Sequence, residues 1–172
     1  MRETLAAIPG ASAQAQRDVS VSLNKVGDML AAMNRTEEAL ASYRRSLTIA
    51  ETLAAIPGAS AEAQRDVSVC LDNVGHMLAA MNRTEEALAS YRRSLAMRET
   101  LAAIPGASAQ AQRDVSVSLW KLAQLDPNHH PWRKVYTHLQ AMQSAGLLAS
   151  RDERFLETAR LRMVQQEAGT TP

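Results

Sequence analysis

The chain has 172 residues, of which 19 are basic and 18 acidic, and its net charge is +1. A length of this order predicts one domain that buries a core of its own. The near balance of charge argues against a general nucleic-acid or anionic-membrane surface, because either needs a strong positive excess. Aromatic residues make up only 3% of the chain, and its Ala-, Leu- and Arg-rich composition favours helix throughout.

The cysteine content and the apolar runs bear on compartment. A single cysteine, Cys70, excludes an internal disulfide and is compatible with a reducing environment. No apolar run approaches the roughly 18 residues that a membrane-spanning helix requires. The segment Met1–Thr4 carries an acid early and lacks a long apolar core, so it is a poor signal peptide. We therefore expect a cytoplasmic protein.

The dominant feature is an internal repeat with a period of 48 residues. Ser12–Ala59 differs from Ser60–Ala107 at only eight of 48 positions. In addition, Met1–Leu23 is identical to Met97–Leu119. The chain thus opens inside a repeat, contains two full ones, and starts another before it diverges near Leu122.

Each repeat begins with a pattern typical of a helix. Ser12, which follows Pro-Gly-Ala, is a suitable N-cap, as are its counterparts Ser60 and Ser108. Asn34 marks the end of this helix, where a residue that tolerates left-handed geometry is expected. In between, apolar residues recur at helical spacing and form one stripe: Val19, Leu23, Val26, Leu30 and Met33.

A second helix follows in each repeat. Thr36-Glu37-Glu38 places acids in its first turn, where they complement the helix dipole. Pro57-Gly58 ends it, with glycine at the natural stop. Its predicted buried face consists of Leu40, Tyr43, Leu47, Ala50 and Ala54.

A single hairpin of two such helices cannot cover its own apolar stripes, but stacking on similar neighbours can. The predicted fold is therefore all-α, an α-solenoid of antiparallel helical hairpins with a C-terminal helical cap. We assign residues 1–11 to a half-hairpin that ends a preceding repeat, 12–59 to repeat 1 and 60–107 to repeat 2. Residues 108–126 are assigned to the first helix of a partial repeat 3, and 127–172 to C-terminal capping helices.

The packing residues choose among helical repeat families. Small and large side chains recur at fixed spacing in both full repeats: Val26-Gly27, Ala39, Tyr43 and Ser46, then Val74-Gly75, Ala87, Tyr91 and Ser94. In this pattern the chain resembles the tetratricopeptide repeat family over roughly Ser12–Leu125, and in particular its long-repeat bacterial members. Two features depart from the family: the period is 48 residues where about 34 is usual, and the late proline is displaced outward to Pro57 and Pro105.

The resemblance implies that the first helix of each pair lines a concave groove that holds a peptide or protein segment. With Gly27 as the anchor, the groove positions are Val21, Asn24 and Asp28, then Val69, Asp72 and His76, then Val117, Trp120 and Gln124. The resemblance also assigns repeat packing to Gly27, Ala39, Tyr43, Gly75, Ala87 and Tyr91.

Two of these groove positions differ in every copy. Asn24, Asp72 and Trp120 occupy one of them, and Asp28, His76 and Gln124 occupy the other, one helical turn away on the same face. We interpret this face as diversified for a ligand, with Trp120 as its one large anchor. Drift at exposed sites remains the alternative, and for Trp120 the alternative is packing within the core.

The sequence predicts a non-catalytic protein-interaction module that uses no cofactor and no metal and binds neither nucleic acid nor membrane. The histidines show no ligand spacing with cysteine, and the Val-Ser-Val-Ser runs have no nearby His–acid pair. The alternative is a structural unit that stacks through its repeat ends into dimers or longer arrays. Self-association is expected at the N-terminal end, which the sequence leaves uncapped.

Overall fold

A computed structural model describes residues 12–169, and every regular element in that range is a helix. The predicted all-α fold of helical hairpins packed in sequence is confirmed. The half-hairpin assigned to residues 1–11 lies outside the described residues. The helices are α1 (Ala13–Ala32), α2 (Thr36–Ala54), α3 (Ala61–Ala80), α4 (Thr84–Ala102), α5 (Ala109–Leu125), α6 (Trp132–Ser144) and α7 (Glu153–Gly169), with a 3₁₀ turn at Ser150–Asp152.

The first helix of each hairpin begins at the predicted serine cap. The Ser12 hydroxyl accepts a hydrogen bond from the Ala15 amide at 3.1 Å, and Ser60 and Ser108 repeat this arrangement at 3.2 Å. Each of these bonds satisfies an amide that has no acceptor within its own helix. The predicted caps are confirmed in all three copies.

The turn inside each hairpin depends on an asparagine. Asn34 and Asn82 adopt φ angles of 59° and 58°, the left-handed conformation that the sequence predicts there. Directly after Asn34, the Arg35 amide donates to the Leu30 carbonyl at 2.9 Å and closes the end of α1. Only three residues then separate α1 from α2, so the two helices must turn back on each other.

The chain divides into two compact units, one that ends at Met97 and one that begins at Arg98, and α4 runs from the first into the second. In the first unit α2 packs on both α1 and α3. A buried cluster of Ala50, Val67, Cys70 and Leu71 joins α2 to α3. A hydrogen bond of 3.0 Å from the Ser94 hydroxyl to the Ser68 carbonyl ties α4 to α3.

The apolar stripe of the first helix is buried in one copy and open in the other. Val74 is 5% exposed and Met77 4%, on a helix that both α1 and α2 contact. Their counterparts on α1, Val26 and Met29, are 50% and 65% exposed. Met33, which the sequence places in the same stripe, is exposed as well. The described residues therefore leave one face of α1 without the cover that α3 receives.

The second unit contains a third hairpin that the sequence-based interpretation does not recognise. α6 begins 48 residues after α4, and the Ser116 hydroxyl lies 3.3 Å from the Met142 sulfur. The same separation of 26 residues joins Ser20 to Ser46 in the first hairpin, where two hydrogen bonds of 2.8 and 2.9 Å form. The segment assigned to the cap thus starts with a helix in the register of the repeat. Its core consists of Ala123, Trp132, Val135, Leu139, Met142 and Ala159.

Candidate partner-binding surfaces

Close approach of the two helices of a hairpin depends on a glycine and a tyrosine. An ideal Cβ on Gly27 would lie 2.5 Å from Cε1 of Tyr43, and one on Gly75 would lie 2.7 Å from the same atom of Tyr91. Both distances are shorter than van der Waals contact, so the aromatic ring occupies the space that a side chain would need. Ala39 and Ala87 are fully buried beside these rings. The hairpin framework thus uses residues that face away from solvent.

In the third hairpin, both the glycine and the tyrosine of this close contact are replaced. At the positions that correspond to Gly27 and Tyr43, 96 residues later, it has Ala123 and Leu139. Both are buried in the core cluster of the second unit. The shorter leucine leaves room for the alanine methyl group, which explains why the two changes occur together.

In the first copy, the predicted groove residues are only partly free for a partner. Val21 is exposed, whereas Asn24 is half-buried and contacts α3: its amide nitrogen lies 3.5 Å from the Cys70 sulfur, and its oxygen accepts from Asn73 at 3.4 Å. Asp28 is exposed and accepts a hydrogen bond of 2.6 Å from the Tyr43 hydroxyl. Asn24 and Asp28 therefore also support the helix packing behind them.

Burial, together with this hydrogen bond to Asp28, raises the pKa of Tyr43 above its ordinary range. The phenol consequently remains protonated and keeps donating to the carboxylate at physiological pH. This contact ties the outer face of α1 to the packing residue of α2.

In the second copy, the carboxylate has moved by one helical turn. Asp72 takes the position of Asn24 and is only 4% exposed, while His76 takes the position of Asp28 and is exposed. Burial, together with the charge of Asp72, raises the pKa of Tyr91 to about 12. Each of these two hairpins therefore keeps one carboxylate near its tyrosine. This shift of the carboxylate explains part of the sequence difference between the two copies. In the second copy, His76 is more accessible than Asp72.

The third copy has no such tyrosine, and no aspartate at either position. Val117 and Gln124 are exposed and Trp120 is half-buried. The Trp120 ring packs edge-on against Trp132, with 4.9 Å between ring centroids, and against Phe155, with 5.5 Å. Trp120 is thus held by core residues on one side and remains partly accessible on the other. Val69, the remaining predicted groove residue of the second copy, is half-buried.

Sequence reasoning missed the contacts that join one repeat to the next. Arg98 is 4% exposed, and its guanidinium donates to the Ser118 hydroxyl at 2.8 Å and to the Asp114 carbonyl at 3.1 Å. One repeat earlier, the same two positions hold Ala50 and Cys70, both buried in an apolar cluster. The signal was present, because Ala50/Arg98 and Ser22/Cys70 are among the eight differences between the copies. Only the structure shows that the two positions face each other.

The histidines outside these surfaces have partners of their own. His129 lies 2.9 Å from a carboxylate oxygen of Asp126 and lowers the pKa of that group through hydrogen bonding. His138 lies 2.9 Å from the Gln112 carbonyl oxygen. Between residues 12 and 169, no three His, Cys, Asp or Glu side chains gather as metal ligands would. No helix in the same range is long and apolar enough to cross a bilayer.

Comparison with known proteins identifies the family of the first two hairpins. The tetratricopeptide repeat model matches residues 19–54 and 67–102, which correspond to the first two hairpins with α1 to α4. These two stretches are tetratricopeptide repeats. Repeats of this family generally mediate protein–protein interaction and are typically non-catalytic. The third hairpin lies outside the matched ranges, and it is the one in which alanine and leucine replace the glycine–tyrosine pair. No curated protein matches the chain closely enough to count as a relative.

Proposed function

We propose that this chain is a non-catalytic interaction module that binds a protein or peptide segment in a groove lined by the first helix of each hairpin. The observation that carries the proposal is a contrast between copies. The caps, turns and glycine–tyrosine pairs are identical in the first two hairpins, whereas the predicted groove residues change from Asn24 and Asp28 to Asp72 and His76. A uniform framework with a varied surface suits recognition of a partner along its length.

The accessible members of this face are the residues to test. Val21 and His76 belong to the first unit, and Trp120 and Gln124 belong to the second. An aromatic side chain beside polar groups is typical of sites that dominate binding energy. Asp72 is nearly buried, so its proposed contribution is indirect, through Tyr91 and the position of α3.

The experiment is affinity capture followed by a peptide array, with the wild type and with the double variant Trp120→Ala/His76→Ala. We expect the double variant to lose at least tenfold in affinity for captured partners, because it removes an aromatic contact and an exposed polar contact. His129→Ala, an exposed histidine in a loop, is the matched control and should bind like the wild type.

Because Trp120 also packs against Trp132 and Phe155, its loss could weaken the fold. A second variant, His76→Glu/Gln124→Glu, changes only exposed side chains and should reduce binding without a change in melting temperature. Partners that bind both double variants as tightly as the wild type would rule out this surface as the binding site.

A second function, self-association, is favoured by the open face of α1. Val26, Met29 and Met33 are exposed, whereas Val74 and Met77, the counterparts of the first two on α3, are buried. An apolar stripe of this kind is typical of a surface that another polypeptide covers. We propose that a second copy of the chain can cover it.

Light scattering across a concentration series tests self-association. The wild type should increase in mean mass with concentration, and Val26→Lys/Met29→Lys should remain monomeric because two charges then interrupt the apolar stripe. Val164→Lys, at a position of similar exposure on α7, is the control and should leave the mass unchanged. A wild type that stays monomeric at high concentration would exclude this second function.

A further inference from the structure

The second unit contains a mostly apolar cavity. It lies between α5, α6 and the start of α7 and has a volume of about 250 Å³. Trp120 and Val117, both predicted groove residues, form part of its wall. The apolar lining consists of Val117, Trp120, Leu139, Met142, Leu148 and Phe155.

The residues that distinguish the third hairpin from the others create this cavity. Leu139 replaces the tyrosine of the earlier copies, and α6 has 13 residues where α2 and α4 each have 19. The short helix brings the start of α7 back onto α5, where Asp152 pairs with Arg113. Phe155, in the first turn of α7, then packs edge-on against Trp120 and remains partly exposed.

The size of the cavity limits what can fill it. Sites for small organic ligands usually measure about 300–1,000 Å³ and enclose most of the ligand. A space of about 250 Å³ is smaller than that range and matches one large side chain better than a whole cofactor. Its lining is mostly apolar, so burying an aliphatic or aromatic group there is favourable.

The charges around the cavity indicate which residues of a bound segment would lie beside that side chain. The charged members of its lining are Arg113, Lys121 and Asp152, which leaves one net positive charge. Asp152 is already paired with Arg113. Arg154, one residue before Phe155, lies over the Phe155 ring at 4.9 Å and adds a further cation nearby. An acidic segment would complement this edge, and a basic one would be repelled.

We infer that this cavity is an anchor pocket that takes one large apolar side chain, leucine or phenylalanine in size, from a partner polypeptide with acidic residues beside that side chain. The inference rests on the proposed function and names the chemistry of its ligand. Trp120 forms a wall of the pocket, and Lys121 provides the charge at its edge.

The test is selection of phage-displayed random seven-residue peptides on the wild type, followed by affinity measurement of the selected peptides. We expect sequences with one phenylalanine or leucine next to aspartate or glutamate. Changing that apolar residue to alanine, or the acids to lysine, should each weaken binding at least tenfold. Selected peptides that lack this pattern would overturn the inference.

Two variants locate the binding, and each has a matched control. Val117→Glu places a carboxylate on the pocket wall and should weaken binding at least tenfold. Val164→Glu alters a valine of α7 that lies outside the pocket, with 49% exposure against 41%, and should have less than a twofold effect. Lys121→Glu should likewise weaken binding to acidic peptides, whereas Lys25→Glu, its counterpart in the first copy, should not.

The outcomes separate this inference from the proposed function. Peptides that are lost on His76→Glu but bind Val117→Glu normally would overturn the pocket and leave the interaction module standing. The pocket is also overturned if a second copy of the chain fills it, which light scattering would reveal as a dimer that Val117→Glu abolishes. Binding of the apolar dye ANS that Val117→Glu abolishes, with no peptide selected, would indicate a small-molecule site. If neither peptides nor captured proteins bind any form, both proposals fail.

Discussion

Gly27→Ala is expected to lower the free energy of unfolding by about 2 kcal/mol, within the range for overpacked cores. The new methyl group would lie 2.5 Å from the Tyr43 ring, so the ring or the backbone has to move. The ring has little freedom to move, because it is buried and its hydroxyl is held by Asp28. The gain in helix propensity from glycine to alanine, about 1 kcal/mol, offsets only part of the cost.

Urea unfolding followed by circular dichroism measures this effect, and Tyr43→Leu provides its control. The double variant Gly27→Ala/Tyr43→Leu reproduces the pair that the third hairpin carries as Ala123 and Leu139. We expect it to be at least about 1 kcal/mol more stable than the sum of the two single changes allows. Strictly additive effects would show that the ring and the methyl group do not compete for the same space.

The junction between repeats should give a larger effect. Ala50→Arg is expected to cost about 3 kcal/mol or more, because it buries a guanidinium in an apolar cluster where a thiol replaces the hydroxyl acceptor. Ala50 is 2% exposed and packs in a cluster with Val67, Cys70 and Leu71. An arginine is tolerated one repeat later, since Arg98 there has the Ser118 hydroxyl as an acceptor.

A reciprocal exchange tests this explanation. Ala50→Arg/Cys70→Ser restores the hydroxyl and should recover about 1.5 kcal/mol or more of the loss, the lower end of the range for a hydrogen bond to a charged group. At the other junction, Arg98→Ala should be destabilising, and Arg98→Ala/Ser118→Cys should be less so, since it copies the apolar pair. Thermal unfolding of the wild type and of these four variants gives the comparison. If neither double variant regains stability relative to its single variant, the explanation that the two junction residues change together is contradicted.

The fold could be predicted because its signals are local or repeated. A serine after Pro-Gly-Ala and an asparagine at a helix end each define a helix boundary from a few residues. The 48-residue period then predicts that the same hairpin recurs. A hairpin with an uncovered apolar stripe has to stack on a similar neighbour. The spacing of residues along the chain therefore suffices to predict the helices of the first two hairpins.

The site could be predicted less completely, because its contacts join different helices. Asn24 and Asp28 were assigned to a ligand surface from their variation, yet Asp28 also holds Tyr43, and Asn24 contacts Cys70 on the next hairpin. Variation along one helix does not show which partner a side chain has across the interface. The third hairpin was missed for a related reason: Ala123 and Leu139 replace the recognised glycine and tyrosine together, so the motif disappears while the geometry persists.

The junctions Ala50–Cys70 and Arg98–Ser118 differ in chemistry, and this difference affects how the gene can change length. The linkers 55–59 and 103–107 have the same sequence, as do long stretches on either side, so misaligned recombination between them would delete or add one whole repeat. Such an exchange keeps every helix intact and changes which residues meet at the new junction, among them the pair at positions 50 and 70.

Loss and gain of a repeat are then not equivalent. A deletion would place Ala50 opposite Ser118, a small residue beside a hydroxyl, at modest cost. An insertion would place Arg98 opposite Cys70, a buried cation beside a thiol that is a weak acceptor. The array can therefore shorten by recombination more easily than it can lengthen, and an added repeat would need a second substitution, cysteine to serine, before it packs as well as the present ones.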